Sequence, residues 1–389
     1  MHAGQSVFSQ ILEYLPRWKF RECVARHDGN YHVRRFTCYD QFLAMAFAQL
    51  TYRESLRDIE TCLRAQASKL YHMGWRGSVA RATLADANER RPWQIWADLA
   101  DFLIGEARAL YAQDSFGLRL KNSVYAFDTT TIDLCLMLFP WCQFRRRKSA
   151  VKLHTLLDLR GDIPCFVAII GGSTHEVNLL DEVPLEPGSY YLLDRGFVDF
   201  VRLYRFTREH AFFVTRAKEN MDYRVRESRS VDTAAGLRAD QSIRLTGPLT
   251  RRKYPDLLRR VSYVDPETAR RYVFLTNNFP LAALTICRLY KCRWRVELFF
   301  KWIKQYLRIK SFFGTSQNAV KTQVWIALCV YLLVAIIRKR LAVDLSMGEM
   351  LQILSVTIFE KNPILQVFSQ EEFRMVQAEV HKPLPLLDF

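Results

Sequence analysis

Ile286-Cys287-Arg288-Leu289-Tyr290-Lys291-Cys292-Arg293-Trp294-Arg295-Val296-Glu297-Leu298-Phe299-Phe300-Lys301-Trp302-Ile303-Lys304-Gln305-Tyr306-Leu307-Arg308-Ile309-Lys310 holds a single acidic residue, Glu297. Arg288, Lys291, Arg293, Arg295, Lys301, Lys304, Arg308 and Lys310 share the window. So many cations suit a polyanion, and a carboxylate facing a polyanion repels it unless a metal cation sits between them. The apolar positions Leu289, Cys292, Val296, Phe299, Ile303 and Tyr306 recur at helical spacing and predict a helix packed on a core. Tyr290, Arg293, Glu297 and Lys304 follow one another at intervals of 3, 4 and 7, so they share a neighbouring face of that helix. On that face Arg293 and Lys304 are placed to grip phosphates, and Tyr290 to bond one through its hydroxyl. The bland alternative is an i→i+4 ion pair of Glu297 with Lys301.

Working upstream, Val124-Tyr125-Ala126-Phe127 and Tyr190-Tyr191-Leu192-Leu193 read as buried strands that end on Asp128 and Asp194. Val151 to Leu159 and Ile163 to Ile170 read as a hairpin turning at Arg160-Gly161-Asp162. Helical stretches are expected around His175 to Val183 and over Val198 to His210, with a short strand over Ala211 to Thr215. Neighbouring strands in one sheet bring Asp128 and Asp194 to one edge, where Glu297 can join them. Three carboxylates of this kind can hold two Mg²⁺ ions roughly 3.5–4 Å apart, and their hard oxygens favour Mg²⁺ or Mn²⁺ over zinc. Taken singly, Asp128 could instead bond its own backbone through Thr129-Thr130-Thr131, and Asp194 could pair with Arg195.

Composition narrows the partners. The 389-residue chain carries a formal net charge of +16 and is 50% hydrophobic, enough for a sizeable core and more than one domain. That charge points to nucleic acid or an anionic membrane. The most apolar run, Val324 to Ile337, is too short for an easy crossing and predicts a buried helix, which leaves nucleic acid ahead. Nine cysteines without C-x-x-C or zinc spacing read as reduced thiols of a cytoplasmic protein, and the N-terminus has no signal pattern. Gly171-Gly172 is no phosphate loop, so ATP use is not expected. His154, on a strand, reads as a hydrogen-bonded structural histidine. The run Arg145-Arg146-Arg147-Lys148, with Lys152 after it, is expected to contact phosphate near the acids, although charge runs are commonly solvated loops.

The flanks differ in character. Thr37 and Asp40 open a helix, and Thr51 with Glu54 is expected to cap the next, whose Leu56, Ile59 and Leu63 share a face. Another helical stretch runs from Thr83 to Leu110 and is interrupted at Pro92. Tyr223 to Thr276 is basic and β-rich, with strands at Arg224–Arg226, Ile243–Leu245, Val261–Val264 and Tyr272–Leu275. Pro280 is expected at the first position of the glutamate helix, and Ser346 with Glu349 caps a later one.

The pattern Y-x₂-R-x₃-E-x₆-K, here Tyr290, Arg293, Glu297 and Lys304, resembles the signature of the insertion-sequence 4 group of DDE transposases. Asp128-Thr129-Thr130 and Asp194-Arg195-Gly196-Phe197 are similar to that group's first and second acids. The resemblance implies an α/β fold: an RNase H-like core, a mixed sheet flanked by helices, interrupted by a β-rich insertion and preceded by an α-helical N-terminal domain. The organisation expected is a helical DNA-binding domain over 1–76, a helical connector over 77–120 and the first part of the core over 121–219. The insertion over 220–279, the second part of the core over 280–345 and a helical tail over 346–389 complete it. It further implies cleavage of element ends and transfer of their 3′-hydroxyls into target DNA, with Asp128, Asp194 and Glu297 as catalytic ligands of two Mg²⁺ ions that Mn²⁺ can replace. Tyr290, Arg293, Lys301, Lys304, Arg195, Lys148 and Lys152 are the candidate DNA contacts. The implied partners are terminal inverted repeats and target duplex, bridged by a homodimer in the bacterial cytoplasm at the nucleoid, without membrane or ATP. Some relatives stack a flipped base on an insertion tryptophan during hairpin formation. This insertion has none, although Phe279 or Tyr272 could substitute. An RNase H-like nuclease or resolvase that does not join strands, and a DNA-binding repressor descended from a transposase, are the alternative readings.

Overall fold

The computed structural model describes residues 4–145, 148–171, 176–306 and 312–369, with backbone alone for 143–145, 148, 176 and 306. It divides into two compact units, residues 1–110 with 303–389 and residues 111–302.

The first unit is helical. Its centre is the Cys38–Leu50 helix, buried along nearly its whole length, which packs against the long Gln317–Arg340 helix. Thr37 and Asp40 form the expected reciprocal cap. The next helix, Leu56–Ala65, is capped by Ser55 and not by Thr51. Only Ser55 has the extended backbone a cap requires; Thr51 instead closes the preceding helix, its hydroxyl donating to the Phe47 carbonyl, and Tyr52 turns the chain with φ of 58°. Leu56, Ile59 and Leu63 are buried as their spacing predicts. Pro92 separates the Arg81–Arg90 and Gln94–Tyr111 helices. The Gln317–Arg340 helix is long and apolar enough to cross a membrane by length and composition, but 94% of its most apolar window is buried in the protein. Ser346 and Glu349 cap the Met347–Thr357 helix reciprocally, and a short helix, Ile364–Phe368, follows. The last part of the expected tail, 370–389, lies outside the described residues.

The second unit is built on one mixed sheet. Its strands are β1 (Val124–Leu134), β2 (Gln143–Arg145), β3 (Lys148–Asp158), β4 (Ile163–Gly171), β5 (Tyr190–Leu193), β6 (Phe212–Arg216), β7 (Tyr223–Arg229), β8 (Leu237–Leu245), β9 (Leu258–Val264) and β10 (Arg271–Thr276). They lie in the order β2-β3-β1-β5-β6-β10-β9-β8-β7, with β4 also paired to β3. β1, β5 and β6 run parallel and the other pairings are antiparallel. The basic β-rich segment therefore extends the same sheet, because β10 pairs with β6. The hairpin between β3 and β4 turns on Gly161 and Asp162, both with positive φ. A side chain at Gly161 would run into the Tyr111 ring, so this turn needs glycine for space as well as for backbone freedom.

Tyr125, Phe127, Tyr191, Leu193 and Phe213 point to one face of the sheet, where they pack with Leu203 and Phe206 of the Phe200–Arg208 helix. The Ala283–Cys292 helix packs on β6, β8 and β9, with the Tyr290 ring against Phe274 of β10. Three expectations are corrected. β1 does not stop at Asp128 but runs six residues further, to Leu134; only its parallel pairing with β5 ends there, at Phe127 opposite Leu193. Pro280 precedes the helix, which starts at Ala283 after Ala282. The expected single helix is two, Ala283–Cys292 and Trp294–Tyr306, which meet at Arg293. There the amide of Arg293 bonds the Tyr290 carbonyl three residues back, and Val296 bonds Arg293 likewise, so the turn is tightened without a change of direction in φ and ψ. Around His175, the described part is a 3₁₀ turn, Glu176–Asp181, and His175 itself lies outside the described residues.

Candidate active site

The strand register explains how the two aspartates meet. β1 and β5 are paired through Phe127 and Leu193, so the residues that follow, Asp128 and Asp194, leave the parallel ladder side by side. Because side chains alternate along a strand, both point away from the face that carries Phe127 and Leu193. Arg216 ends β6 one residue after Thr215, the partner of Leu193, and projects to that same second face. The helix pair covering this face brings Tyr290, Arg293 and Glu297 to the acids.

The polar contacts form two groups, one on Asp128 and Glu297 and one on Asp194, which meet where the Arg293 guanidinium lies 5.7 Å from the centre of the Tyr290 ring. The Arg293 guanidinium donates to Asp128 Oδ2 at 2.9 Å and to Glu297 Oε1 at 2.5 Å, bridging residues far apart in sequence. Arg216 donates to Asp194 Oδ1 at 2.8 Å, and the Tyr290 hydroxyl donates to the same oxygen at 3.3 Å. The Thr129 amide donates to Asp128 Oδ1 at 2.8 Å. Arg295 pairs with Asp162 at 2.7 Å and ties the glutamate helix to the turn between β3 and β4. Glu297 thus pairs backwards with Arg293, and Lys301 is exposed. Arg195 pairs with Glu219 instead of Asp194.

Burial pushes the Asp128 carboxyl up to about 6; the Thr129 amide and Arg293 pull it down, while the charges of Asp194 and Glu297 push it up further. Asp194 is also partly buried, but the Arg195 amide together with Arg216 and Arg293 holds its carboxyl below the usual range. Burial lifts the Tyr290 hydroxyl to about 12, so it stays a donor. His154 is wholly buried beside Thr129, whose hydroxyl lies 2.6 Å from its Nδ1; burial and the charge of Lys152 lower its imidazole to about 3 and keep it neutral. This agrees with a structural histidine.

The donor set is one a hard divalent cation would take: carboxylate oxygens on a shared face, already drawn to cationic groups. Among the described residues no three acidic, imidazole or thiol groups stand close enough to hold one ion as they are placed. The Arg293 guanidinium stands between Asp128 and Glu297, and Arg216 takes Asp194. Nε of both arginines is buried without a hydrogen-bond partner among the described residues. Buried donors are normally satisfied, so two orphans beside three acids fit a site shaped around something further.

Of the expected DNA contacts, Tyr290 and Arg293 lie among the acids. Lys304 is half-buried in the same helix as Glu297, two turns on. Lys152 is buried in β3 and, like His154, points to the opposite face from Asp128. Lys148 begins β3 but its side chain is not described, and Arg146 and Arg147 lie outside the described residues. The sequence reading missed Arg216, because it ended that strand at Thr215. The signal was available: a charged residue closing a strand that runs parallel to the one carrying Asp194.

Residues 119–333, more than half of the chain, match the family described as Transposase DDE domain, and residues 3–76 match Domain of unknown function (DUF4372). The chain belongs to the DDE transposase family. Its sheet and acids accordingly sit on an RNase H-like fold. "Putative transposase y4zB" of Sinorhizobium fredii is 31% identical over 297 residues, covering 75% of this chain and 80% of that protein. "Probable transposase for insertion sequence element IS5377" of Geobacillus stearothermophilus is 28% identical over 254 residues, 65% of this chain and 66% of that one. "Putative transposase for insertion sequence element IS4SA" of Synechocystis is 22% identical over 264 residues, 65% and 68% of the respective chains. Transposases act on DNA, and DDE domains generally depend on divalent metal.

Proposed function

We propose that this transposase cuts the two ends of an insertion element and transfers the resulting 3′-hydroxyls into target DNA, with Asp128, Asp194 and Glu297 as ligands of two Mg²⁺ ions. The observation that carries the reading is that Asp128 of β1 and Glu297 of the glutamate helix share the Arg293 guanidinium, while Asp194, at the end of β5 and held by Arg216, leaves the parallel ladder beside Asp128. When bound, the ions lower the pKa of attacking water and stabilise the leaving oxygen, as in other two-metal sites. Asp128, Asp194 and Glu297 fix where that chemistry takes place. Arg293 and Tyr290, beside them, bind and orient the phosphate being cut, with Lys304 two turns on. Arg216 keeps Asp194 aimed at the site. No nucleotide fuel is required, since one phosphodiester is exchanged for another.

Residues 3–76 are the proposed reader of the terminal inverted repeats, and Lys148, Lys301 and Arg195 are proposed as outer phosphate contacts. Lys152 would reach phosphate only if its strand moved. Two ends cut in concert call for two sites, hence a homodimer on paired ends. The test is Mg²⁺- or Mn²⁺-dependent cutting and joining on DNA bearing the element's own ends, wild type beside Glu297→Gln. Cutting and joining by wild type alone supports the reading. Cutting without joining makes the protein a nuclease, and binding without either makes it a DNA-binding protein.

A further inference from the structure

Two helices of the helical unit carry the same charge pattern and use it in opposite ways. In Arg17–Arg26, Glu22 stands three residues after Lys19 and four before Arg26, and it pairs with both. In Leu56–Ala65, Glu60 stands three residues after Arg57 and four before Arg64, and it pairs with neither. Its carboxylate reaches instead to the next helix and accepts from the Arg81 amide at 2.9 Å. That helix, Arg81–Arg90, follows Ala80, which offers no side-chain cap, so Glu60 closes its first turn. Asp58, the other acid of Leu56–Ala65, accepts from the Glu54 amide at 3.2 Å and from Arg53 at 3.3 Å. Both acids are thus spent within the fold. Arg57 and Arg64 are left exposed, with no hydrogen bond or ion pair among the described residues.

Arg57, Thr61 and Arg64 follow one another at intervals of four and three, so they form one ridge, opposite the buried Leu56, Ile59 and Leu63. Arg81, at the amide that Glu60 caps, is exposed as well. The base beneath the ridge is firm. The buried Cys38–Leu50 helix packs on both Leu56–Ala65 and Arg81–Arg90, which also pack on each other. Residues 51–55 join the first two helices in a short turn, with Tyr52 left-handed. Two helices linked by a short turn, the second showing an exposed ridge, is how helix-turn-helix proteins lay a helix in the major groove. The ridge suits that groove chemically: a guanidinium matches N7 and O6 of guanine through two bonds. From Arg57 to Arg64 it covers roughly 10 Å at about 1.5 Å per residue, or about three base pairs at about 3.4 Å each.

We propose that the Leu56–Ala65 helix lies in the major groove of the terminal inverted repeat, with Arg57 and Arg64 each on a guanine edge, Thr61 between them and Arg81 on a flanking phosphate. The proposal rests on the reading of residues 3–76 as the part that recognises those repeats. The turning of Glu60 to the Arg81 amide is what makes the ridge available: it fixes the helix on its neighbour and keeps a carboxylate off both arginines.

The test measures binding of full-length protein, without divalent metal, to duplex bearing the element's own terminal repeat and to a scrambled duplex. Guanines of the repeat are replaced one at a time by 7-deazaguanine, which lacks N7. Wild type should lose on the order of tenfold in affinity at two guanines within about three or four base pairs of each other. Arg57→Ala should bind the repeat more weakly by a similar factor and become indifferent to one of those replacements, and Arg64→Ala to the other. Arg57→Lys keeps the charge without the fork, so it should lose the repeat as Arg57→Ala does yet hold its affinity for the scrambled duplex. Arg81→Ala should weaken both duplexes alike and lower the salt slope by about one. The substituted side chains are exposed, and unchanged circular dichroism checks that each variant folds. Equal weakening of both duplexes by Arg57→Ala and Arg64→Ala, or indifference of wild type to every replacement, overturns base reading by this helix. A wild-type preference for the repeat that survives in Arg57→Ala/Arg64→Ala rejects this helix alone. Absence of any preference in wild type rejects with it the reading of residues 3–76 on which it rests.

Discussion

Two aspartate–arginine pairs sit on the same large sheet and have opposite meanings. In the extended half, Arg259 of β9 grips Asp240 of β8 through two bonds of 2.8 Å, and its remaining nitrogen donates to the carbonyls of Asn278, Phe279 and Leu281. Arg259 is 3% and Asp240 6% exposed. In the parallel half, Arg216 makes one 2.8 Å bond to Asp194, and the two side chains are 39% and 32% exposed. Arg216 Nε has no partner among the described residues. The first pair is complete and sealed, and it fastens β8 and β9 to the segment that leads into the Ala283–Cys292 helix. The second is incomplete and open, as a pair must be if its carboxylate has other work. Satisfaction, more than proximity, separates a structural clamp from a site.

The sharpest way to break this comparison is to neutralise one acid of the open site. Asp194→Asn, Asp128→Asn and Glu297→Gln should each lower end cleavage by on the order of 10³-fold or more, several kcal/mol of lost transition-state stabilisation, with duplex binding retained in a gel-shift assay. Near wild-type cutting by any one of them removes that residue from the triad. The closed pair should respond in stability instead. Asp240→Ala strips the buried Arg259 guanidinium of its carboxylate and should cost about 3–5 kcal/mol in urea unfolding, whereas Arg259→Ala leaves Asp240 its 3.3 Å bond from Arg229 and should cost less. Asp194→Ala, at the half-exposed pair, should cost about 1 kcal/mol or less. Equal losses would erase the distinction between clamp and site.

A third prediction concerns pH. The folded-state value of Asp128, about 6, lies above its ordinary value, so the folded protein holds an extra proton between the two and loses stability as pH rises through about 6. In metal-free protein Asp128→Asn should therefore raise stability at pH 7 by about 3 kcal/mol, and by less than about 1 kcal/mol near pH 4. A gain independent of pH would assign the effect to packing. The smallest expected effect is on metal affinity. Arg293→Gln removes the cation that stands between Asp128 and Glu297, so Mn²⁺ should bind the DNA-free protein about tenfold more tightly in calorimetry, about 1.4 kcal/mol. Weaker binding would mean that Arg293 assembles the acids more than it occupies their place.

Much of this was legible from local pattern. The hairpin at Gly161-Asp162, the Thr37/Asp40 and Ser346/Glu349 caps and the strands of the extended half all follow short-range rules of turn chemistry and periodicity. Failures came where two local rules competed. Thr51/Glu54 and Ser55/Asp58 both resemble a helix start, and backbone conformation alone selects Ser55. A proline near a helix start suggested Pro280 at the first turn, but the Asn278 side chain accepts from the Leu281 amide and holds that segment outside the helix. The even helical spacing of Tyr290, Arg293 and Glu297 gave no hint of the tightened turn at Arg293.

By itself the sequence determined which chemistry is present. A lone glutamate among cations, two aspartates after apolar strands, and the spacing of Tyr290, Arg293, Glu297 and Lys304 are intrinsic to the chain, because period and composition are local properties. Only the tertiary structure decided who faces whom. It set Asp128 beside Asp194 through strand register, turned Lys152 to the other face, paired Glu297 with Arg293 in place of Lys301, and brought Arg216 level with Asp194. Each depends on how strands from distant parts of the chain align. A shift of one residue in any of those ladders would turn the same side chains to the opposite face.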